Sequence, residues 1–178
     1  MTPYKKLRPF DKDSGDLNVV IETPKGSRNK FDYDPKKELF KLGGVLPAGA
    51  VFPFDFGFIP RTLGEDGDPI DVLVLMDEPA FTGCLVVARL IGGIEADQTE
   101  KDGEVVRNDR LIAVASEAEL YKDIKSLSGV SEPLLDEIEH FFISYNDGIG
   151  KKFEPRNRVG PKKALALVDE GIKKARRS

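Results

Sequence analysis

Apolar and polar residues change rhythm about two thirds of the way along this chain. Up to that point the stretches "DLNVVIET" (16–23), "KFDYD" (30–34), "ELFKL" (38–42), "DVLVLM" (71–76), "CLVVARLIGGIEA" (84–96) and "RLIAVA" (110–115) are short and either alternating or β-branched, and clusters of Pro, Gly and Asp separate them. That pattern predicts strands joined by tight turns, and their spacing predicts a small, highly curved sheet or barrel. Beyond it, residues 116–127, 131–146 and 161–177 carry apolar side chains at helical spacing. The stretch "SEPLLDEIEHFF" opens with Ser131 as an N-cap, a Pro two residues on and acids in the first turn. The expectation is one α+β domain over 1–178, a β-barrel core with helices packed on one side and a helical C-terminal third.

Composition narrows the chemistry. At 178 residues the chain suits one compact domain, and 33% charged residues beside 40% hydrophobic ones exclude a disordered segment and describe a soluble protein. A net charge of -4 gives no general case for nucleic acid and favours metal ions and small ligands, while the basic tail "KKARRS" reads as a solvated helix end. An oligonucleotide-binding barrel would want aromatics interleaved with a basic groove, whereas those of "VFPFDFGF" sit beside acids. No apolar run reaches the ~18 residues of a membrane span, and the N-terminus lacks an apolar leader segment. The lone Cys84 excludes a disulfide framework and reads as a small core residue in a reducing compartment, so the cytoplasm is expected. The lone His140, mid-helix and without a G-x-S-x-G elbow, reads as structural or interfacial. Zinc sites of His and Cys fail on ligand count. Carboxylates, Lys, Arg and Tyr remain.

The carboxylates are concentrated in "LGEDGDPIDVLVLMDEP". Asp66, Gly67, Asp68 and Pro69 form a turn and Asp71 opens a strand, so three like charges converge at the strand mouth and raise one another's pKa unless a cation neutralises them. Hard oxygen donors select Mg²⁺, Mn²⁺ or Ca²⁺, and the stretch does not follow the twelve-residue EF-hand loop. A Mg²⁺ site completed by waters and substrate phosphate is the better fit, with Mn²⁺ as a substitute. The plainer reading is ordinary turn residues, since Asp and Gly are common there.

Together "VVIETPKGSRNKFDYD", "VFPFDFGFIPRTLGEDGDPIDVLVL" and "IEHFFISYND" resemble the soluble family I inorganic pyrophosphatases. The resemblance runs from about Leu17 to Gly150. It implies a five-stranded OB-type barrel with flanking helices and Mg²⁺-dependent hydrolysis of inorganic pyrophosphate. It also implies a homo-oligomer, a hexamer being typical of bacterial members, with neither nucleic acid nor membrane as partner. By the family pattern Asp66 and Asp71 are Mg²⁺ ligands. Asp68 lies beside the attacking water as general base and shares in the metal site. Glu22 faces metal and phosphate. Lys30, Arg110 and Tyr145 hold phosphate oxygens, Arg110 also stabilising charge during reaction.

The same comparison marks departures around the substrate. Gly44 stands where the family has a phosphate-binding Arg or Lys, with Lys41 the nearest base. Phe56 replaces a Tyr, Asp32 a Glu and Asn146 a Lys. Asn108 and Gln98 replace metal-side Asp residues, and Asp97, Asp102 and Asp109 are the candidates to compensate. The alternative these changes raise is a relative that binds metal and phosphate without efficient turnover.

Overall fold

The computed structural model describes residues 4–177. Met1, Thr2, Pro3 and Ser178, the outer ends of the N-terminal stretch and the basic tail, lie outside the described residues. The strands are β1 (Leu17–Thr23), β2 (Asn29–Asp34), β3 (Leu39–Val45), β4 (Asp55–Phe58), β5 (Asp71–Leu75), β6 (Leu85–Thr99), β7 (Val105–Arg107), β8 (Arg110–Ala115) and β9 (Lys152–Val159). The helices are α1 (Glu132–Gly148) and α2 (Pro161–Arg177), and neither is long and apolar enough to cross a membrane.

Seven strands form one mixed sheet. Its pairings run β1-β4-β5-β8-β6, and β6 also pairs with β1, so this path returns to its start. The 15-residue β6 additionally carries β7 and β9 on its far half, while β2 and β3 form a separate hairpin. The sheet is therefore larger and more mixed than the five-stranded barrel expected from sequence. Apolar side chains of β1, β5, β6 and β8, including Val19, Ile21, Leu73, Leu75, Ile91, Leu111 and Ile112, are fully buried. Each contributes roughly 1.5–3 kcal/mol by leaving water.

Two glycines let the backbones approach. A Cβ on Gly57 of β4 would lie 2.1 Å from the Val20 carbonyl oxygen of β1. Gly92 holds φ +150 where β6 slips register against β8, and a Cβ there would lie 2.3 Å from the Val159 oxygen of β9. Both positions are confined to Gly by backbone atoms that cannot give way.

Charge fastens the helices. Arg158 of β9 donates to Glu132 and Asp136 at 2.5 Å and to Glu139 at 2.7 Å, three acids along one stripe of α1. Below the other helix, buried Glu95 of β6 accepts from Lys163 of α2 at 2.9 Å, Arg107 of β7 at 2.6 Å and Asn157 of β9 at 3.2 Å.

Several sequence expectations need correction. Residues 116–127 are turns, with only a 3₁₀ turn at Leu127–Gly129. Their backbone groups are taken by tertiary partners: Asp77 accepts from the amides of Glu119 and Leu120, and Arg89 donates to the carbonyls of Lys122 and Ile124. A helix would need those same groups for itself. The C-terminal third is helix, strand, helix, because the polar run "KFEPRNRV" pairs along β6 as β9. The strand β4 lies within aromatics that sequence left unassigned; Phe52, Phe54, Phe56 and Phe58 are all buried. Ser131 does precede α1, but its side chain makes no capping bond; its carbonyl accepts from Leu134 and Leu135.

Glu95 yields a pH prediction. The Lys163 hydrogen bond, with Arg107 and Asn157, overcomes burial and brings its carboxyl down to about 2 from an ordinary 4.5. A depressed folded-state value stabilises the native protein fully above pH ~4.5 and loses that contribution as pH falls toward 2, on the order of 3 kcal/mol in all. Glu95→Gln should lower stability at pH 7 by about 1–3 kcal/mol in urea unfolding and flatten the acid limb. An unchanged acid slope would overturn this role.

Candidate active site

The cleft is built where strand ends, the hairpin and α1 meet. It encloses about 760 Å³ and is lined by Glu22 of β1, Lys30 and Asp32 of β2, Asp66, Asp68 and Asp71, Arg110 of β8 and Tyr145 of α1. The residues to which the resemblance gives catalytic, metal or phosphate roles, Glu22, Lys30, Asp66, Asp68, Asp71, Arg110 and Tyr145, therefore line one cleft. The hairpin joins the main sheet through side chains: the Tyr33 amide donates to Glu22 Oε1 at 2.7 Å, and Thr23 Oγ1 and Phe31 bond to each other's backbone or hydroxyl at 3.0 and 3.2 Å. Alternation along β2 then turns Lys30 and Asp32 to the same side, where they form an ion pair.

The acidic loop is pinned from behind. The Leu63 amide donates to the Gly171 carbonyl of α2 at 3.1 Å, and a Cβ on Gly171 would strike Ile70 at 2.4 Å. Within the loop Gly64 N bonds Asp68 O at 2.7 Å, Gly67 takes φ +87, and the Asp68 amide donates to Asp66 Oδ1 at 3.1 Å. Asp66 is half-buried, Asp68 exposed.

Strand pairing sets the central contact. β5 and β8 run parallel in the register Val72↔Leu111, so the preceding residues, Asp71 and Arg110, leave the same edge side by side. Arg110 Nη1 lies 2.5 Å from Asp71 Oδ2 and also bonds Asn108 Oδ1. Its guanidinium is buried between the Phe142 and Phe153 rings, 5.0 and 5.5 Å from their centroids. From Asn108 a chain of bonds leads outward: Nδ2 to Gln98 Oε1 at 3.1 Å, Gln98 Nε2 to Glu100 Oε1 at 2.5 Å, and Glu100 to Lys151 at 2.7 Å.

Burial governs the titrations. It raises Glu22 to about 8 against the pull of the Tyr33 amide, and Asp71 to about 6 against the pull of Arg110. Burial likewise raises Asp66, with the Asp68 charge adding to it. For Lys30 burial works against the charge, but Tyr145, Asp32 and Glu22 outweigh it, so the ammonium titrates above its ordinary value.

Among the described residues no three His, Cys, Asp or Glu side chains are gathered closely enough to hold a metal between them. The donors nevertheless suit one hard cation. Asp71 uses Oδ2 for Arg110 and Asp66 uses Oδ1 for the Asp68 amide, which leaves Asp71 Oδ1, Asp66 Oδ2 and the Asp68 carboxylate for a ligand. Mg²⁺ commonly takes one or two carboxylates and completes its shell with water and phosphate.

At the departures, Gly44 sits opposite Lys30 with open space where a side chain would be, and Lys41 lines the cleft near Asp34. Phe56 lines the cleft and packs against Phe52 and Phe142. Asn146 is buried with its amide on the Phe142 carbonyl, whereas Lys151 reaches the cleft. The carboxylates expected to compensate are engaged elsewhere: Asp97 with Arg156, Asp109 with Arg107, and Asp102 with the Glu104 amide. Glu100, Lys151 and Arg61, which sequence reasoning passed over, do line the cleft. Arg61 had a visible signal, a cation directly after Pro60 in a turn leading to the acidic loop.

The inorganic pyrophosphatase family model matches residues 19–176. An inorganic pyrophosphatase of Nostoc sp. is 38% identical over 166 residues, 93% of this chain and 95% of that protein. One from Halalkalibacterium halodurans is 40% identical over 155 residues, 86% and 91% of the two chains. The crystal structure of inorganic pyrophosphatase from Thermus thermophilus superposes with a TM-score of 0.87 at 34% identity, covering 98% of this chain and 99% of that one.

Removing one partner of a buried ion pair leaves the other charge stranded. Arg110→Met should therefore cost about 3 kcal/mol of stability in urea unfolding with chelator present. The double variant with Asp71→Asn should cost less than the two single changes summed, with a coupling of about 1–3 kcal/mol. Additive costs would show that the pair does not hold β5 to β8.

Proposed function

This chain belongs to the inorganic pyrophosphatase family, and we propose that its cleft hydrolyses inorganic pyrophosphate to two phosphates with bound Mg²⁺. The observation that carries the reading is the apposition, in one cleft, of free carboxylate oxygens on Asp66, Asp68 and Asp71 with the cations Lys30 and Arg110. A compact polyanion requires both walls.

The free oxygens of Asp66, Asp68 and Asp71 would supply one or two direct ligands to the metal, with water and phosphate completing its shell, and the metal would supply charge neutralisation and make a nearby water more acidic. Lys30, Arg110 and the Tyr145 hydroxyl bind phosphoryl oxygens and stabilise the charge that the leaving phosphate acquires. The water oxygen adds to one phosphorus, the bond from that phosphorus to the bridging oxygen breaks, and the water's proton passes to the Asp68 carboxylate. Glu22 lines the same cleft toward the phosphates and holds the Lys30 hairpin in place by accepting from the Tyr33 amide. The closed path β1-β4-β5-β8-β6, with β5 and β8 parallel, supports reading the core as an OB-type barrel. Exposed Leu39, Leu42 and Val45 on the hairpin support self-association of this chain. Sedimentation as a single chain would overturn that part.

Phosphate release from pyrophosphate should depend on Mg²⁺, and Asp68→Asn and Asp71→Asn should each lower kcat at least 100-fold. Binding of Mg²⁺ and phosphate by calorimetry without any release would favour the impaired-relative reading instead. Mg²⁺ should also raise the thermal midpoint of the wild type but not of Asp71→Asn, because binding to the native state alone stabilises it.

A further inference from the structure

Two guanidinium groups line the cleft. Arg110 is committed to Asp71 and Asn108. Arg61 is exposed on the rim, and among the described residues it makes no ion pair or side-chain hydrogen bond. It shares the cleft wall with Pro60, Asp66, Asp68 and Pro69.

The backbone at Arg61 is costly. Its φ is +56, in the left-handed region that L side chains avoid and that glycine or asparagine enters readily. Pro60 and Arg61 are the central residues of a turn in which Thr62 Oγ1 donates to the Ile59 carbonyl at 2.7 Å and accepts the Ile70 amide at 3.0 Å. Ile59 and Thr62 are both buried, so this turn also anchors the start of the acidic loop. The second central position after Pro commonly takes Gly when φ is positive. An Arg there carries backbone strain that Gly would remove.

Among the described residues the other non-glycine one with positive φ, Glu38 at φ +55, occupies the tip of the β2–β3 hairpin and does not line the cleft. Positive φ alone therefore marks only a turn. At Arg61 it coincides with an unpaired guanidinium on a cleft wall. The remaining basic side chains offer weaker grips: Lys30, Lys41 and Lys151 each have a carboxylate partner within 4 Å, and Lys36 presents a single ammonium from an exposed turn. A planar guanidinium bonds two oxygens of one phosphoryl group at once.

We propose that Arg61 is a substrate-binding residue that clasps a terminal phosphoryl group of pyrophosphate at the cleft rim, its left-handed turn fixing the guanidinium beside the metal-binding aspartates. This rests on the reading of the cleft as a pyrophosphate site.

Arg61→Gly tests it in the full-length protein, because it removes the guanidinium while easing the backbone. KM for pyrophosphate with saturating Mg²⁺ should rise roughly tenfold or more, with kcat within about threefold of the wild type and the thermal midpoint unchanged or higher. Calorimetry with inorganic phosphate should show Kd rising by a similar factor, and Arg61→Lys should recover part of both losses. KM and phosphate Kd within twofold of the wild type in Arg61→Gly would overturn the proposal. If the wild type releases no phosphate from pyrophosphate, the proposed reaction fails, and the phosphate Kd of Arg61→Gly still decides the role of Arg61.

Discussion

The parallel pairing of β5 with β8 is the constraint on which the cleft depends. Antiparallel neighbours would send Asp71 and Arg110 to opposite edges. The parallel register Val72↔Leu111 sends them to the same edge, 2.5 Å apart, with the guanidinium buried between Phe142 of α1 and Phe153 of β9. One contact thus links two sheet strands, a helix and the strand added on β6. The apolar core supplies the stability and leaves the placement of charges open, whereas this buried pair admits one arrangement of the elements that meet at it.

Charge in the cleft is arranged as opposed pairs, not as a uniformly positive or negative surface. Lys30 faces Asp32, Arg110 faces Asp71, and Lys151 faces Glu100. Each pair lowers the cost of burying its members in the free protein. In the proposed reaction Asp71 would gain the metal and Arg110 a phosphoryl oxygen in exchange for each other. At Glu22 and Asp71 the loss of solvation outweighs the available partners, and their carboxyls are pushed up to about 8 and about 6. Such perturbed groups within one cleft mark a functional site more strongly than the bare D-x-D-x-x-D spacing does.

Much of the site was legible because it lies on short, locally determined stretches. Asp66, Asp68 and Asp71 fall on one turn and one strand start, whereas Glu22, Lys30, Arg110 and Tyr145 are reached only through the family resemblance. The helical rhythm gave α2 its observed bounds and α1 to within two residues. Long-range competition hid the rest. Residues 116–127 have helical spacing, yet Asp77 and Arg89, distant in sequence, hold their backbone groups in turns. The polar stretch of β9 reads as loop until β6 is known to extend far enough to pair with it. Asp97, Asp102 and Asp109 are near Asn108 in sequence, but alternation along β6 and the bonds to Arg156 and Arg107 turn them to other work.

The departures at Asn108, Gln98 and Asn146 look like losses when counted singly and less so when traced through their bonds. Asn108 accepts from Arg110 and donates to Gln98, which donates in turn to Glu100. An amide can do both and an ionised carboxylate cannot, so a carboxylate at position 108 would lose the donation to Gln98. The negative charge sits one step further along, on Glu100, and holds Lys151 in the cleft, while Asn146 in the preceding turn of α1 satisfies the helix backbone. A line of neutral amides thus connects Arg110 with the Glu100–Lys151 pair. Asp71 and Arg110 remain the closest opposed charges at the strand ends, and Glu100 with Lys151 forms a second opposed pair at the far end of the line.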